Sequence, residues 1–571
     1  MLLRGLLSLV GLLSDDALRA GSRAVFGRSW RRFQEATQHP REVQEARLAV
    51  LVSRAKDTAF GKEHGFSEIR SFADYQRRVP VRGYEDFEPY IARMLRGEQG
   101  VLIPDRPIFF ARSSGTTGTP KSVPITPVYL AEYRTPRRVW ARQVMQAFPG
   151  LIRGSILSVH SPKVEGRTET GVPYGSITVP MSGSPELKDM RPSRVSLDPS
   201  PRRLFLLEDF ELKYYFTLRL AAQSDVRLLA AVNPSTLVLL LKKLDERAEE
   251  IARDLETGEG LHLEAVPEPI RSELRRRLRT DRAAADRLRG SRKQHGKVQP
   301  LDLWPKLAGV VSWKGGSAPF YLRQLAELLP GIGVMDYGLL ATEGGLSIPL
   351  SPEGAHGVAS VSGHVLEFIP DEERAPAQSG AYTPALLAHE LEVGQRYRIL
   401  ISGSHGLYRY DINDVVECVG RYHETAEIAF VHKGGNMLSI TGEKVGERHV
   451  VLAFSEVMER TGIPLAGFAV SLDLVDPPRY LFGVEPRAEL SADDEARLLE
   501  AADQALMRAN LEYQAKRASM RLGPPRLVVL QLGAFEAHRK RRVAAGAPES
   551  HVKPPHLFRE AKDLLALGAR S

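Results

Sequence analysis

The distribution of apolar residues predicts helices and strands in alternation. Apolar positions at helical spacing predict a helix over residues 41–56, and residues 72–97 predict short helices around a turn. The middle of the chain alternates apolar runs typical of strands (SILSVH, LAGVVSW, GVMDYGLL) with helical runs such as PSTLVLLLKKLDERAEEIARDL. This alternation predicts an α/β architecture in which helices cover β-sheets.

The pattern changes in the last third of the chain. Residues 371–390 predict an irregular surface loop, and residues 389–402 and 406–420 predict a β-meander. A break at the sequence KGGN, residues 433–436, predicts a hinge. Beyond it, a helix, two strands and one long helix over residues 491–519 predict an α+β unit.

We therefore predict two domains, residues 1–430 and residues 431–571, in a chain whose 571 residues already favour more than one core. The leucine-rich start, MLLRGLLSLVGLL, is too short to span a bilayer. A signal peptide, a helix on a membrane surface and a helix docked on the protein are the three interpretations. The lack of a clean cleavage site counts against a signal peptide, and of the three the docked helix is favoured.

Composition narrows the class of protein. Hydrophobic residues make up 43% and charged residues 26%, which is ordinary for a globular protein, and the formal charge of +8 is modest. The single cysteine, Cys418, excludes a disulfide framework and a cysteine-rich metal site, so a reducing cytoplasm is the simplest compartment. The basic stretch 271–293 interleaves acids and alanines with no aromatic residue. It favours a solvated helix pair over a nucleic-acid surface.

The stretch ARSSGTTGTPKS (111–122) combines glycines, hydroxyls and one lysine. Such residues suit phosphate, because glycines expose backbone N–H groups, hydroxyls donate hydrogen bonds and lysine supplies charge. Pro120 stands where the common nucleoside-triphosphate loop needs its second glycine, and the flanking residues predict strand–loop–strand. A Ser/Thr/Gly-rich surface hairpin is an equally good interpretation of this stretch alone.

Four further stretches carry candidate chemistry. In SWKGGSAPF (312–320) a glycine pair lets backbone approach a ligand, although such pairs are usually turns. In ATEGG (341–345) Glu343 could hold Mg²⁺ through carboxylate oxygen, or be a solvated turn residue.

In YRYDINDVVECVG (408–420), Asp414 would end a turn and begin a strand, where it could accept two ribose hydroxyls. Asp411 could take that role instead, and a capping aspartate is the common alternative. In HVKPPHLF (551–558), Lys553 precedes two prolines, and an isolated lysine near a C-terminus is usually a surface charge.

Taken in order, these stretches resemble the adenylate-forming superfamily, which includes acyl-CoA synthetases, luciferases and peptide-synthetase adenylation domains. The chain resembles most closely the bacterial members of the auxin-responsive Gretchen Hagen family of acyl acid–amido synthetases. The resemblance rests on segments spread over most of the chain: residues 84–98, 109–126, 363–370, 391–416, 438–447 and 510–519, and the tail. It implies a large N-terminal adenylation domain of helix-covered β-sheets and a small, mobile α+β C-terminal lid.

The resemblance also implies roles for individual residues. The residues that match the family's loop for the β- and γ-phosphates of ATP are Ser113, Ser114, Gly115, Thr116, Thr117, Gly118 and Lys121. The other nucleotide-binding candidates are Gly315, Gly316, Tyr337, Ala341, Thr342, Glu343, Asp414 and Lys433. Of these, Glu343 matches the Mg²⁺ ligand, Asp414 the ribose-binding aspartate and Lys433 a basic hinge residue. Lys553 matches the lysine that neutralises charge as the carboxylate attacks; with Lys121 and Glu343 it completes the catalytic set.

The implied function is an ATP- and Mg²⁺-dependent ligase. It would convert a carboxylic acid to an acyl-adenylate with release of pyrophosphate, then pass the acyl group to an amine, expected to be an amino acid. One alternative passes the acyl group to coenzyme A or a carrier thiol. Another is a nucleotide-binding module without catalysis. Small-molecule substrates are the expected partners.

The chain also departs from the family's pattern at four positions. Leu339 stands where many relatives carry an aromatic residue against adenine, and Asn413 where many carry glycine before the ribose aspartate. Lys433 and His556 stand where arginine is frequent. For the acyl site, residues 160–183 are either a border of the acid pocket or a surface loop, and Arg167 could pair with an anionic substrate group.

Overall fold

The computed structural model of the chain describes most of its residues. They are residues 13–113, 121–159, 164–182, 197–315, 318–371, 383–433, 437–438, 445–475, 478–518, 522–545, 554–558 and 560–569. Within them, contacts between residues define two compact units. The N-terminal unit comprises the described parts of Met1–Lys314, Leu322–Ile412 and Val416–Phe430, and the C-terminal unit those of Gly315–Tyr321, Asn413–Val415 and Val431–Ser571. The predicted domain division at residues 430 and 431 stays a prediction.

Helices make up much of the described chain before residue 330. They are α1 (Asp15–Gln38), α2 (Pro40–Ala55), α3 (Ala59–Glu63), α4 (Phe72–Arg78), α5 (Tyr84–Leu95), α6 (Pro127–Ala147), α7 (Thr178–Ser182), α8 (Phe210–Ala222), α9 (Pro234–Glu246), α10 (Ala248–Thr257), α11 (Ile270–Arg275), α12 (Arg282–His295), α13 (Pro300–Leu303) and α14 (Ala318–Leu328). Short 3₁₀ segments lie at Phe66–Glu68, Pro149–Arg153, Arg202–Leu206 and Leu263–Ala265.

Most of the strands before residue 434 build three sheets. The strands are β1 (Phe109–Ser113), β2 (Lys121–Ile125), β3 (Ser155–Ser158), β4 (Val164–Arg167), β5 (Pro173–Gly175), β6 (Val226–Ala230), β7 (Gly309–Val311), β8 (Val334–Met335), β9 (Leu340–Ala341), β10 (Gly344–Gly345), β11 (Ser347–Ile348), β12 (His356–Ala359), β13 (Val365–Pro370), β14 (Arg396–Ser402), β15 (Tyr410–Tyr422) and β16 (Thr425–Lys433). The sheet orders are β2-β1-β5-β4, β3-β6-β7-β8 and β11-β12-β16-β15-β14-β13, and β9 pairs with β10 alone.

The sheet β3-β6-β7-β8 is parallel throughout, as expected where strands alternate with helices. Phe148 and Leu151, which follow α6, pack on its apolar residues Leu228, Val311 and Met335. The predicted strands SILSVH and LAGVVSW and the predicted α/β class are therefore confirmed. The helical run that follows β6 differs from the prediction of one continuous run. It breaks at Arg247 into α9 and α10.

Local sequence explains where the site-bearing elements begin. The hydroxyl of Thr126 accepts a hydrogen bond from the backbone N–H of Tyr129, and Pro127 occupies the first turn, so α6 begins directly after β2. Ser14 caps α1 in the same way through the N–H of Ala17. The leucines at positions 2 to 12, predicted to form a docked helix, lie outside the described residues, and Leu13 is exposed.

The basic stretch 271–293 forms the predicted helix pair, as α11 and the first part of α12. Several of its arginines pair with acids, among them Arg271 and Arg275 with Glu264, and Arg289 with Glu249 and Glu256. In these pairs the guanidinium groups bind carboxylates, whereas a nucleic-acid-binding surface would present them to phosphates. Across the described part of the chain, no helix combines the length and apolar character needed to cross a membrane.

The C-terminal unit is built around a three-stranded sheet. Its elements are β17 (Met437–Leu438), β18 (Val445–Gly446), α15 (Glu447–Thr461), β19 (Leu465–Asp473), β20 (Arg479–Pro486), α16 (Ala492–Ala509), α17 (Leu511–Ala518), β21 (Arg526–Val529), α18 (Ala534–Ala544) and α19 (Ala561–Leu565). β19 and β20 pair antiparallel, and β21 joins β20 in parallel. His556 lies buried in this unit: its Nδ1 lies 2.9 Å from the carbonyl oxygen of Phe468 and its ring stacks on that side chain, which indicates a packing role.

Two further sequence predictions were wrong in detail. Residues 491–519 do not form one helix, because Asn510 takes an extended conformation and its side chain caps α17 by accepting from the N–H of Tyr513. Asp414 does not begin a strand after a turn but lies inside β15. The residue before it, Asn413, has a left-handed φ of 61° without ending the strand.

One buried ion pair joins several segments of the N-terminal unit. The Arg409 side chain is fully buried, and its Nε lies 3.1 Å from the Glu367 carboxylate of β13. Its remaining nitrogens donate to the carbonyl oxygens of Gln76, Val79 and Thr383. Each of the three guanidinium nitrogens therefore has a hydrogen-bond partner, and such a buried charge is stable only while its partners stay in place.

We predict that Glu367→Leu destabilises the N-terminal unit by about 3–5 kcal/mol, because the variant leaves Arg409 buried without its counter-charge. The exposed pair Glu249–Arg289 provides the matched control, Glu249→Leu, which should lose several times less. All four tryptophans lie within residues 1–314, so tryptophan fluorescence during urea unfolding follows this unit. Equal losses in the two variants would contradict the prediction.

Candidate functional site

The two ends of the stretch 111–122 form the strands of the predicted strand–loop–strand. β1 and β2 pair antiparallel, with Ser113 opposite Lys121 and Arg112 opposite Ser122. The loop between them, with the candidates Ser114, Gly115, Thr116, Thr117 and Gly118, lies outside the described residues, as does the side chain of Ser113. The hairpin therefore brings the first and last residues of the predicted phosphate loop side by side.

Lys121 is held by two tyrosines that the sequence did not reveal. Its Nζ donates to the hydroxyl of Tyr410 at 3.3 Å and lies 5.4 Å from the centre of the Tyr84 ring. The Tyr84 hydroxyl accepts from the backbone N–H of Ser122 at 2.6 Å. Tyr84 thus fixes the strand at the residue next to Lys121, while its ring attracts the ammonium group.

Glu343 sits in a tight turn between two very short strands. Ala341 pairs with Gly344 across β9 and β10, which leaves Thr342 and Glu343 as the turn residues. Both side chains are buried, with Glu343 only 7% exposed. The alternative interpretation, a solvated turn glutamate, is therefore wrong.

The charge of Glu343 acts on four tyrosines around it. Burial is the largest cause that raises the pKa of each, and the Glu343 carboxylate raises it further. The pKa rises to about 12 for Tyr84 and for Tyr133, and it rises for Tyr129 and Tyr410 too. Because Tyr84 and Tyr410 also contact Lys121, the structure brings Lys121 and Glu343, two of the three predicted catalytic residues, to the same site.

Tyr337, a predicted nucleotide contact, has one face covered. Its ring stacks on Trp140 at 5.2 Å between ring centres and 16° between planes, and the Arg137 guanidinium lies 3.9 Å from the centre of the Trp140 ring. A base could therefore stack only on the other face of Tyr337. Leu339 is half-buried against buried apolar residues of the N-terminal unit, and its N–H donates to the hydroxyl of Ser347.

The structure describes the remaining predicted residues only in part. Asp414 is buried in β15, and Gly315 forms a bend before α14. Lys433 ends β16, but its side chain is outside the description, and so are Gly316 and Lys553. Within the described residues, no cluster of three or more histidine, cysteine or acidic side chains is placed to hold a metal ion.

Part of the candidate acyl segment shares a sheet with the phosphate-loop hairpin. β4 and β5 form an antiparallel hairpin, and β5 pairs in parallel with β1 through Tyr174 and Gly175. Arg112 lies over the Tyr174 ring at 3.9 Å. Arg167 is exposed, and its Nη1 donates to the carbonyl of Gly171 in its own turn, so its described contact is local.

Two buried histidines lie beneath the Glu343 turn. Burial lowers the pKa of His405 to about 3, while an interaction with the backbone of Glu343 opposes that change. Burial, together with the charges of His405 and Arg47, lowers the pKa of His364 well below its usual value. Both rings are therefore neutral near pH 7. Sequence patterning did not single them out, since a histidine inside an apolar strand or turn is usually part of the core.

Comparison with known protein families covers most of the chain. Residues 29–334 match the model of the GH3 family N-terminal domain, residues 357–433 that of the GH3 family central domain, and residues 448–562 that of the GH3 family C-terminal domain.

Individual relatives match over nearly their whole length. The jasmonoyl–L-amino acid synthetase JAR4 of Nicotiana attenuata is 22% identical over 540 residues, which are 92% of this chain and 92% of the relative. The indole-3-acetic acid-amido synthetase GH3.10 of Arabidopsis thaliana is 25% identical over 576 residues, 95% of each chain. Among solved structures, AtGH3.15 acyl acid amido synthetase in complex with 2,4-DB matches with a TM-score of 0.82 at 19% identity, over 98% of this chain and 97% of that chain. The last likeness confirms the predicted fold.

We predict that lowering the pH from about 7.5 to about 5.5 destabilises the N-terminal unit by about 1.4 kcal/mol for each buried neutral histidine. The unfolded chain takes up a proton near pH 6.5, whereas the folded rings of His364 and His405 do not, so stability present above that pH is lost below it. His364→Asn and His405→Asn should each weaken this pH dependence, measured by urea unfolding with tryptophan fluorescence. The exposed His423, which has a left-handed φ that asparagine tolerates, supplies the control His423→Asn. An unchanged dependence in the first two variants would contradict the prediction.

Proposed function

Because the chain belongs to the GH3 family, we propose that it is an ATP-dependent acyl acid amido synthetase. The enzyme joins a carboxylic acid to an amine through an acyl-adenylate, and the relatives named above suggest an amino acid as the acceptor. One observation carries the proposal: the lysine beside a Ser/Thr/Gly-rich loop contacts two tyrosines whose pKa values are raised by the charge of a buried carboxylate, Glu343.

In the first step, a carboxylate oxygen of the acid bonds to the α-phosphorus of ATP, and the bond from that phosphorus to the oxygen bridging to the β-phosphate breaks. Pyrophosphate leaves. Carboxylate and triphosphate are both anions, so the site must supply positive charge where the transition state is most negative. Lys121, held at the end of the phosphate-loop hairpin, supplies one such charge.

The residues around Glu343 fit a magnesium ion. Mg²⁺ commonly takes one or two protein carboxylates and completes its coordination with water and substrate phosphates. A single buried glutamate in a turn matches that mode. When bound there, Mg²⁺ supplies charge that neutralises the triphosphate.

We assign three further roles from the family resemblance. The loop residues Ser113 to Gly118 hold the β- and γ-phosphates, Asp414 accepts the ribose hydroxyls and Lys553 screens the attacking carboxylate. In the second step, the amine nitrogen attacks the acyl carbon, the bond to the adenylate oxygen breaks, AMP leaves and the nitrogen loses a proton to solvent. The departure at Asn413 is compatible with the ribose role, because asparagine tolerates the left-handed φ that glycine would adopt there.

We predict acid-dependent pyrophosphate release with ATP and Mg²⁺ across a panel of aryl, indolyl and aliphatic carboxylic acids. Each acid would be tested alone, with mixed amino acids and with coenzyme A. The proposal expects faster release with amino acids and an amide product by mass spectrometry. Faster release and a thioester with coenzyme A would favour the thioester-forming alternative. Tight ATP binding without release for any acid would favour a binding module and contradict the proposal.

We predict that Lys121→Met lowers kcat/KM for acyl-adenylate formation by about 100-fold, comparable to removal of one charge-stabilising donor from an active site. Lys306, an exposed lysine after α13, provides the control Lys306→Met, which should stay within about twofold of wild type. Rates would be compared by single-turnover formation of the acyl-adenylate. A loss below about threefold for Lys121→Met would remove that lysine from the catalytic set.

A further inference from the structure

The turn that carries Glu343 rests on buried polar side chains whose roles the family comparison does not name. Tyr129, His364 and His405 are all fully buried or nearly so, with at most 1% of each exposed. Tyr129 lies in the first turn of α6, and Tyr133 follows one turn later on the same helix face. These side chains contact the turn from the protein interior.

The shortest contact is a hydrogen bond to the backbone directly before Glu343. The Tyr129 hydroxyl donates to the carbonyl oxygen of Thr342 at 2.5 Å. The Tyr133 hydroxyl reaches the carbonyl oxygen of Ala341, but at 3.4 Å. Because the peptide bond is planar, fixing the Thr342 carbonyl also fixes the N–H of Glu343 and the direction in which its Cα leaves the turn.

The side chains of His405 and His364 fill the space on the interior side of the Glu343 turn. His405 Nδ1 accepts from the N–H of Leu407, so the neutral ring carries its proton on Nε2, and the ring interacts with the backbone of Glu343. That Nε2 forms no hydrogen bond of ordinary geometry within the described residues. His364 lies against Gly344, where an added Cβ would come within 2.6 Å of the imidazole Cδ2 and 2.7 Å of Ile401. The turn therefore has no space in which to move towards the protein interior.

We propose that Tyr129 is a positioning residue for Glu343. Its hydroxyl locks the peptide between Thr342 and Glu343, so the carboxylate keeps the direction in which it meets Mg²⁺ bound to the triphosphate. The neutral imidazole rings of His405 and His364 fill the space on the interior side of the same turn. The inference rests on the proposed function, in which Glu343 is the Mg²⁺ ligand.

The test compares two Tyr→Phe variants that each remove one buried hydroxyl. Tyr129→Phe removes the bond to Thr342. Tyr75→Phe is the matched control, because Tyr75 is also fully buried and its hydroxyl donates to the side chain of Ser402 at 2.8 Å, not to the backbone of the turn. ATP affinity would be measured by calorimetry with excess Mg²⁺ and again with EDTA, alongside the Mg²⁺ dependence of pyrophosphate release.

The positioning role expects Tyr129→Phe to lose about tenfold of the Mg²⁺-dependent gain in ATP affinity while keeping the affinity measured in EDTA. The Mg²⁺ concentration for half-maximal rate should rise by a similar factor, with kcat recovered at saturating Mg²⁺. Tyr75→Phe should keep the full gain. Tyr133→Phe, whose contact is longer, should show a smaller loss in the same direction.

Two results would overturn the proposal. One is a Tyr129→Phe variant that keeps the Mg²⁺-dependent gain within about twofold of wild type. The other is an equal loss in Tyr75→Phe, which would mark a general packing effect. If the proposed function itself is wrong, the wild-type chain will show no Mg²⁺-dependent gain in ATP affinity. That result would contradict both the Mg²⁺-binding role of Glu343 and the positioning role of Tyr129.

Discussion

The arrangement of the N-terminal unit depends on one buried guanidinium. Arg409 reaches Glu367 on β13, two carbonyl groups at the end of α4 and a third in the segment before β14, and it does so with a left-handed φ of 48°. A charge buried this deeply is tolerated only if its partners hold fixed positions. The next residue along the chain is Tyr410, whose hydroxyl accepts from Lys121. The position of the candidate phosphate-binding lysine is thereby tied to a structural ion pair that takes no part in the chemistry.

Tyrosine side chains form the surroundings of the two charged residues of the candidate site, Lys121 and Glu343. A tyrosine buries a large apolar ring and keeps a polar tip, so it can stand in the core and still contact an ion. Tyr84 and Tyr410 contact Lys121, and the charge of the Glu343 carboxylate helps to raise the pKa of both. In such surroundings the interaction between opposite charges is stronger than in water. The lysine and the glutamate therefore share surroundings of buried and half-buried tyrosines, where salt weakens electrostatic interactions less than at an open surface.

Sequence reasoning succeeded where the determinants are local. The hairpin around Lys121, the helices α2, α4 and α5 and the meander β14–β15 follow from periodicity and turn residues close together in the chain. It failed at the break between α16 and α17, because the apolar spacing continues across Asn510 and only a side-chain cap separates the helices. The tyrosines were missed for another reason. Tyr84 and Tyr410 meet Lys121 across 37 and 289 positions of sequence, and no short motif reports such a contact.

The left-handed conformation of Asn413 also affects the energy of the unfolded chain. Glycine would adopt a φ of 61° without strain, yet a glycine has more backbone conformations to lose on folding than any other residue. Asparagine tolerates the same conformation and restricts the denatured ensemble more. Asn413 therefore keeps a left-handed backbone conformation that glycine would also adopt, and the lower entropy of its denatured state offsets part of the strain that a side chain has at this φ.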